Sequence, residues 1–245
     1  MHSPFRLYGD IQDVTIKNCY IETKQQAYYP VWLTYNNAKD KMPKNITIQN
    51  CTIRNTNTVY TYARAFYIQG YSSAPTATGI VIDGCTIIGQ YMAIRMRNAA
   101  TEIKNCTLEA NRYGISLETS SSSQQIHDNN IKVHHTHYKQ DNYGIYCGNV
   151  QSGSTISIYN NRFSELSTQS TSVDYGVEGI RVASQGSYDI YNNMFYGFNY
   201  AAAGNNCNFT GIYVRGTSAT TTNTTEVYHN TILMNDVGVI TGDVR

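Results

Sequence analysis

The sequence predicts an all-β protein, a solenoid of about eight stacked coils that forms one continuous domain over residues 1–245. Three observations predict this fold. A six-residue motif recurs along the whole chain, the strand-length segments around it alternate apolar and polar residues, and none of these segments has the apolar spacing of a ten-residue helix. Only 14% of the residues are charged, against about 25% in an average soluble domain, so Asn, Thr, Ser and Tyr supply the polarity.

The first repeated motif reads Ile-x-Asn-(Cys/Asn)-x-(Ile/Phe). Its eight copies begin at Ile16, Ile48, Ile82, Ile103, Ile126, Ile158, Ile190 and Val227, with 21 to 37 residues between successive starts. The third position holds Asn, Gly, Asp or His, which tolerate a left-handed backbone best, so we expect a turn there. The fourth position is Cys in four copies and Asn in four, and we expect it to be buried, with the stacked amides hydrogen-bonded to each other.

A second motif, Gly-Ile-x-(Val/Leu), lies between copies of the first. Clear copies begin at Gly114, Gly144, Gly179 and Gly211, weaker ones at Val31, Phe66, Ile94 and Gly238, and a fragment at Phe5. Both motifs have the two-residue period of a half-buried strand. A unit this short cannot bury its own apolar face, whereas stacking pairs each strand with its equivalent one coil away.

Together these motifs resemble those of right-handed parallel β-helix proteins of the pectate-lyase-like superfamily, over nearly the whole chain. The expected fold is therefore a single-stranded right-handed parallel β-helix. The alternatives are another β-solenoid, or a β-propeller, whose four-stranded blades need a longer and more constant period. The resemblance implies that the Gly-Ile-x-Val strands line a substrate groove, and that the other two sheets carry an Asn ladder. Superfamily members include polysaccharide lyases, hydrolases and epimerases, phage tailspikes and noncatalytic adhesins, so the fold does not choose a function.

Alternation places one surface rich in Tyr and Arg on the outside of the groove sheet, where its side chains are expected to point to solvent. The predicted substrate-binding residues are Trp32, Tyr67, Arg95, Arg97, Glu118, Tyr143, Glu178, Tyr213 and Arg215. Aromatic rings stack on sugar C–H surfaces, and Arg pairs bidentately with carboxylates, so this pattern predicts binding of an acidic polysaccharide. The alternative is a solvated sheet that these residues merely cover. Arg97 and Glu118 are expected to meet as a surface ion pair.

The spacing of the carboxylates favours a lyase over a glycoside hydrolase, if the chain is an enzyme. Glu118 and Glu178 are expected two coils apart and offset along the strand, well over about 10 Å, which is too far for a hydrolytic pair. The acidic and basic motifs that polygalacturonase-like members carry are also missing. We therefore expect β-elimination, with Arg neutralising the carboxylate of a uronic acid while a second group takes the C5 proton.

A cluster of His, Tyr and acidic residues near residue 140 supplies the remaining candidates. The predicted catalytic residues are Arg181, His135, His137 and Tyr146. Asp141 and Asp174 are weak candidate ligands for a divalent cation such as calcium. The alternative is a solvated polar loop in which the His residues cluster by chance.

The six cysteines fit neither a disulfide scaffold nor a zinc site. Cys19, Cys51, Cys85 and Cys106 share one inward position of the repeat and are expected to be free thiols, as is the inward Cys147. Cys207 lies in a predicted loop and is the most reactive candidate.

The net charge of +1 and the lack of a basic stripe argue against a nucleic-acid partner, and no apolar run is long enough for a membrane span. A polysaccharide partner and an extracellular or cell-surface location are expected, with the leader absent from this chain. Open coils expose strand edges, so the chain is expected to be part of a longer protein, capped by neighbouring domains or subunits. The alternative function is a noncatalytic structural or adhesive solenoid, such as a cell-surface adhesin or a phage tailspike segment.

Overall fold

Short alternating strands that turn at fixed positions wind the chain into a right-handed parallel β-helix. A computed structural model describes residues 3–24, 29–57, 63–70, 76–120, 122–134, 141–168, 175–200, 208–215 and 223–234. These residues form eight coils, each with one strand in each of three sheets. None of them belongs to a helix with the length and apolar character of a membrane span.

The strands follow one another in the same order in every coil. Coils 1 to 4 contain β1 (Phe5–Tyr8), β2 (Gln12–Lys17), β3 (Tyr20–Thr23), β4 (Val31–Thr34), β5 (Lys44–Gln49), β6 (Thr52–Asn55), β7 (Arg64–Gln69), β8 (Ala77–Asp83), β9 (Thr86–Gly89), β10 (Met92–Arg97), β11 (Ala99–Lys104) and β12 (Thr107–Ala110). Coils 5 to 8 contain β13 (Tyr113–Ser120), β14 (Gln124–His127), β15 (Asn130–His134), β16 (Asn142–Val150), β17 (Thr155–Tyr159), β18 (Arg162–Thr168), β19 (Gly176–Val182), β20 (Ser187–Tyr191), β21 (Met194–Phe195), β22 (Asn199–Tyr200), β23 (Asn208–Val214), β24 (Thr225–Tyr228) and β25 (Thr231–Ile232).

Every strand pairs in parallel with its equivalent in the next coil. Sheet 1 has the order β1-β4-β7-β10-β13-β16-β19-β23, and sheet 2 has β2-β5-β8-β11-β14-β17-β20-β24. Sheet 3 has β25-β21-β18-β15-β12-β9-β6-β3, with β22 also paired to β18. Sheet 1 holds the Gly-Ile-x-Val strands, and β1 shows that the fragment at Phe5 is a full member of the repeat.

The turn between sheets 2 and 3 is the same in every coil. Its first residue has φ between 52° and 63° at Asn18, Asn50, Gly84, Asn105, Asp128, Asn160, Asn192 and His229. These are the eight positions at which the motif predicts a left-handed backbone, so the prediction is confirmed.

The second residue of that turn builds the predicted ladder through coils 5 to 8. The backbone N–H of Asn129 donates to Oδ1 of Asn161 at 3.1 Å, and the same bond joins Asn161 to Asn193 at 3.1 Å and Asn193 to Asn230 at 3.0 Å. Each amide also donates to the next Oδ1 at 2.9 to 3.0 Å. The ladder thereby satisfies polar groups that are buried between coils.

Cysteine replaces Asn in coils 1 to 4 and makes a weaker version of the same ladder. The backbone N–H groups of Cys19, Cys51 and Cys85 each donate to the sulfur of the next coil at 3.4 Å. The two ladders join where the N–H of Cys106 donates to Oδ1 of Asn129 at 2.9 Å. These cysteines and Cys147 are free thiols, as expected, whereas Cys207 lies outside the described residues.

The core is a column of aliphatic and aromatic side chains inside the coils, stacked in register like the strands. The packing of this column explains why the second motif contains glycine. A Cβ on Gly179 would lie 2.4 Å from the ring of Phe195, and one on Gly144 would lie 2.6 Å from the ring of Phe163. Those rings stack on each other at 4.5 Å, so glycine leaves the space that they fill.

Candidate functional site

Three columns of side chains point away from the core on sheet 1, and we call this surface the outer face. The first column contains Arg64, Met92, Tyr113, Tyr143, Glu178 and Thr210. The middle column contains Arg6, Trp32, Tyr67, Arg95, Ser116, Tyr146, Arg181 and Tyr213. The last column begins with Tyr8, Thr34, Gln69, Arg97 and Glu118.

The columns face outward as predicted, but the expected solvent exposure is wrong for several members. Trp32 is 8% exposed, Tyr67 is 4% and Tyr143 is 5%. Alternation fixes the side of the sheet, whereas exposure depends on what packs over that side. Tyr29 approaches both Trp32 and Tyr67 edge-on, at 5.6 Å and 4.8 Å between ring centres.

Arginine is concentrated on the outer face. Of the ten arginines in the chain, seven lie on or beside it: Arg6, Arg64, Arg95, Arg97, Arg112, Arg181 and Arg215. The described carboxylates here are Glu118, Asp141 and Glu178, and none of the three columns contains a lysine. The face is therefore positively charged, although the whole chain carries only +1.

Coils 1 to 3 hold two arginines against aromatic rings. The Arg6 guanidinium lies 4.4 Å from the ring centre of Trp32 and 5.0 Å from that of Tyr8. Arg64 lies 5.1 Å from the ring centre of Tyr67 and donates to the Tyr29 hydroxyl at 2.9 Å. Burial, together with the nearby charge of Arg95, lowers the pKa of Arg64.

The ion pair of coils 4 and 5 differs from the prediction. Glu118 is in register with Arg97, but it pairs with Arg95 and accepts a hydrogen bond from Ser116 at 3.2 Å. The reason is side-chain size: Ser116 is the register partner of Arg95 and is too short to block its path to Glu118. The predicted Arg97–Glu118 pair is therefore wrong.

Four tyrosines form a packed cluster across coils 4 to 6. Tyr113 stacks on Tyr143 at 5.2 Å, and Tyr146 contacts Tyr113 and Tyr143 at 5.6 Å and 4.8 Å between ring centres. Tyr91 meets Tyr113 edge-on at 5.7 Å, and Arg112 lies over both of these rings. The predicted catalytic residue Tyr146 is thus a half-buried member of an aromatic cluster.

An acid-base group of side chains lies beside this cluster in coils 6 and 7. Arg181 donates to Oε1 of Glu178 at 2.7 Å, while the buried Oε2 of Glu178 has no hydrogen-bond partner among the described residues. Burial and the nearby Asp141 carboxylate raise the pKa of Glu178 to about 7, although Arg181 acts in the opposite direction. Arg181 also stacks over Tyr213 at 4.8 Å. A carboxyl group that titrates near neutral pH suits proton transfer.

Asp141 is held in place by its neighbours. Its carboxylate accepts hydrogen bonds from the backbone N–H of Gly176 at 2.9 Å and from the Tyr143 hydroxyl at 3.1 Å. No group of three or more His, Cys, Asp or Glu side chains that could hold a metal ion occurs among the described residues. His135, His137 and Asp174 lie outside those residues.

The connections from sheet 3 to sheet 1 lie beside the outer face and vary in length. The corner between sheets 2 and 3, on the far side of the coil, has a constant length. Between sheets 3 and 1, the strand bounds leave residues 24–30, 56–63, 90–91, 111–112, 135–141, 169–175 and 201–207. Between sheets 2 and 3 they leave two residues in all eight coils. In repeat proteins, insertions commonly collect on the binding face.

Sequence reasoning missed several members of the site. Arg6 could have been predicted from the sequence, because its strand fragment places it in the same column as Trp32. Arg64 shares the column of the predicted residues Tyr143 and Glu178, but its strand has Ala65 where the motif has glycine, so the motif did not locate it. Arg112 precedes the first residue of β13 and lies outside the motif. The buried Oε2 of Glu178 depends on packing that no local pattern encodes.

Comparison with known proteins gives one result. A family model described as right handed beta helix region matches residues 35–243. No curated protein and no solved structure matches the chain.

Proposed function

Because the chain belongs to the right-handed β-helix family, a fold that serves many functions, we propose its function from the outer face: the face binds an acidic polysaccharide. The supporting observation is the set of seven arginines, without lysine, interleaved with tyrosines. The planar guanidinium pairs bidentately with carboxylates, and an aromatic ring can stack on a sugar. Eight strands about 4.8 Å apart span roughly 34 Å, which suits a ligand of repeating units.

The binding test uses exposed residues, so that the fold is not at risk. Tyr213 is 39% exposed and Arg215 is exposed next to it in coil 8. We expect the variants Tyr213→Ala and Arg215→Ala each to weaken binding of polygalacturonate or alginate about tenfold in calorimetry. Arg162→Ala is the matched control, because Arg162 is an exposed arginine on sheet 3.

Three outcomes contradict the binding proposal. They are an absence of binding to every acidic polymer in the panel, equal affinity for a neutral polymer, and an Arg162→Ala loss as large as the loss on the outer face. Because the contacts are charged, affinity should also fall as salt is raised from low to physiological concentration.

Cleavage of the same glycan by β-elimination is the second candidate function, favoured by the acid-base group around Glu178. In this reaction a base takes the C5 proton, a double bond forms between C4 and C5, and the C4–O bond breaks as the leaving oxygen gains a proton. With a pKa of about 7, Glu178 is suited to accept that proton at neutral pH, and Arg181 to neutralise the uronate carboxylate. Tyr146, His135 and His137 remain proposed proton-transfer residues.

The cleavage test is the ultraviolet absorbance of unsaturated uronates over a panel of pectin, alginate, glycosaminoglycans and bacterial capsules, with and without calcium. We expect a rising signal on one substrate and its loss in Glu178→Gln. A flat signal on every glycan, combined with tight binding, would refute elimination on these substrates. The leading function would then be a noncatalytic structural or adhesive solenoid.

Location and assembly follow from the proposed ligand. A protein that binds an acidic polysaccharide is proposed to act outside the cell or at its surface. Coil 8 leaves Val227 47%, Ile232 43% and Leu233 42% exposed, and we propose that a neighbouring domain or subunit covers them. Light scattering on the full-length protein tests this, since a subunit interface requires an oligomer.

A further inference from the structure

The outer face contains a separate cleft in coils 1 to 3, about 240 Å³ in volume. Its lining includes Arg6, Tyr8, Trp32, Asn37 and Gln69. The geometry points to a subsite that binds the carboxylate-bearing ring of one uronate unit, with Arg6 as the carboxylate receptor. This inference rests on the proposed function and adds a specificity-determining site to it.

Arg6 is arranged as a receptor because its contacts leave its donors free. The guanidinium lies over the rings of Trp32 and Tyr8, and a cation–π contact of this kind does not require a hydrogen bond from the N–H groups. Arg6 has no hydrogen bond or ion pair with any residue that the structure describes. Every other arginine stacked on the outer face, namely Arg64, Arg95, Arg112 and Arg181, already donates to a protein oxygen.

The other polar groups of the cleft complement a sugar ring. The indole N–H of Trp32 donates to Oε1 of Gln69 at 3.1 Å, which fixes the Gln69 amide and leaves its NH₂ group available. The Tyr8 hydroxyl and the exposed Asn37 amide make no hydrogen bond within the described part of the chain. The Arg6 guanidinium, the Gln69 and Asn37 amides and the Tyr8 hydroxyl thus line one small cleft.

The size of the cleft limits the ligand. Pockets for drug-sized molecules start at about 300 Å³, so about 240 Å³ fits a single monosaccharide unit better than a longer segment. The guanidinium fork favours a planar carboxylate, because both oxygens can accept in parallel. Pre-stacking of Arg6 also reduces the entropy lost when the ligand binds.

The chain offers a probe at this site, because Trp32 is its only tryptophan. Intrinsic fluorescence should therefore change as D-galacturonate or D-glucuronate saturates the cleft, and D-glucose should have no effect. We expect Arg6→Gln to weaken uronate binding about 10- to 100-fold, and Arg6→Lys to weaken it as well because lysine lacks the fork. Arg162→Gln, the matched arginine of sheet 3, should bind as the unchanged protein does. Circular dichroism checks that each variant is folded.

Four results would overturn the inference: no saturable response to either uronate, equal affinity for glucose, equal affinity for inorganic sulfate, or unchanged affinity in Arg6→Gln. The measurement is separable from the test of polymer binding. If the protein binds polymers through Tyr213 and Arg215 but its Trp32 fluorescence does not respond to uronate, only the proposal of the cleft subsite is refuted. If the protein binds uronate at Trp32 but binds no polymer, the proposed function is refuted and the cleft subsite is not.

Discussion

Replacing Glu178 by Gln should change how the stability of the protein depends on pH. In the folded protein, burial and the neighbouring Asp141 raise the pKa of this carboxyl to about 7, from an ordinary value of 4.5. Folding therefore retains a proton that the unfolded chain releases between these two values. Below pH 4.5 both states are protonated and the stabilisation is complete, and it is lost as pH rises through about 7.

The size of the effect follows from the distance between the two pKa values. Each pKa unit is worth about 1.4 kcal/mol, so the interval from 4.5 to about 7 corresponds to about 3 kcal/mol. Glutamine has the shape of the protonated carboxyl and can still accept from Arg181. Glu178→Gln should therefore match the unchanged protein near pH 4 and exceed its unfolding free energy by about 3 kcal/mol at pH 8.

Urea unfolding followed by circular dichroism, repeated from pH 4 to pH 8, measures this difference. Glu165→Gln is the control, because Glu165 is exposed on sheet 3 and its hydrogen bond to Lys132 lowers its pKa, which places its own stability change at lower pH. Parallel pH profiles for Glu178→Gln and the unchanged protein would refute the reasoning. So would a variant whose relative stability decreases toward pH 8.

Three further predictions concern the framework of the coils. Asn161→Ala should lower the unfolding free energy by about 3 to 5 kcal/mol in urea unfolding, because four buried groups lose a hydrogen-bond partner. Cys106→Ala, which breaks the weaker sulfur ladder, should cost only about 1 to 2 kcal/mol, and equal losses would contradict this. Gly179→Ala should lower the unfolding free energy by about 1 to 3 kcal/mol in thermal unfolding, because the new Cβ meets the Phe195 ring. An unchanged melting temperature would show that the core side chains around Phe195 can move to accept the Cβ. Cys147 is buried, and burial raises the pKa of its thiol, so it should react slowly with thiol reagents. After a short treatment with such a reagent, mass spectrometry should find Cys147 unmodified in the native protein and modified in urea. Rapid modification in the native protein would be inconsistent with its buried position.

The sequence was sufficient to predict the path of the backbone, because each coil repeats a local rule. Asn192 and His229 share a left-handed turn despite different side chains, since the motif frame locates the position. The ladder residue Asn161 was also predictable, because an amide that recurs at one buried position has its best partners one coil away.

The same rules were insufficient for the outer face, where contacts run sideways between columns. Register makes Arg97 the neighbour of Glu118, yet Arg95 reaches the carboxylate across a small serine. Alternation places Trp32 on the outside, yet Tyr29 and Arg6 cover it. Such lateral packing depends on side-chain length and rotamer, which a two-residue period does not specify.

Two of the three corners of each coil explain how a regular framework can carry an irregular site. The corner between sheets 2 and 3 has two residues in every coil, and its second position satisfies buried N–H groups through the Cys and Asn ladders. None of those hydrogen bonds involves the outer face. The corner between sheets 3 and 1 varies from two residues to eight and lies beside the first column, where Glu178 and Arg64 are placed. Because the ladder hydrogen bonds lie at the constant corner, the length and charge of the variable corner can change without breaking them.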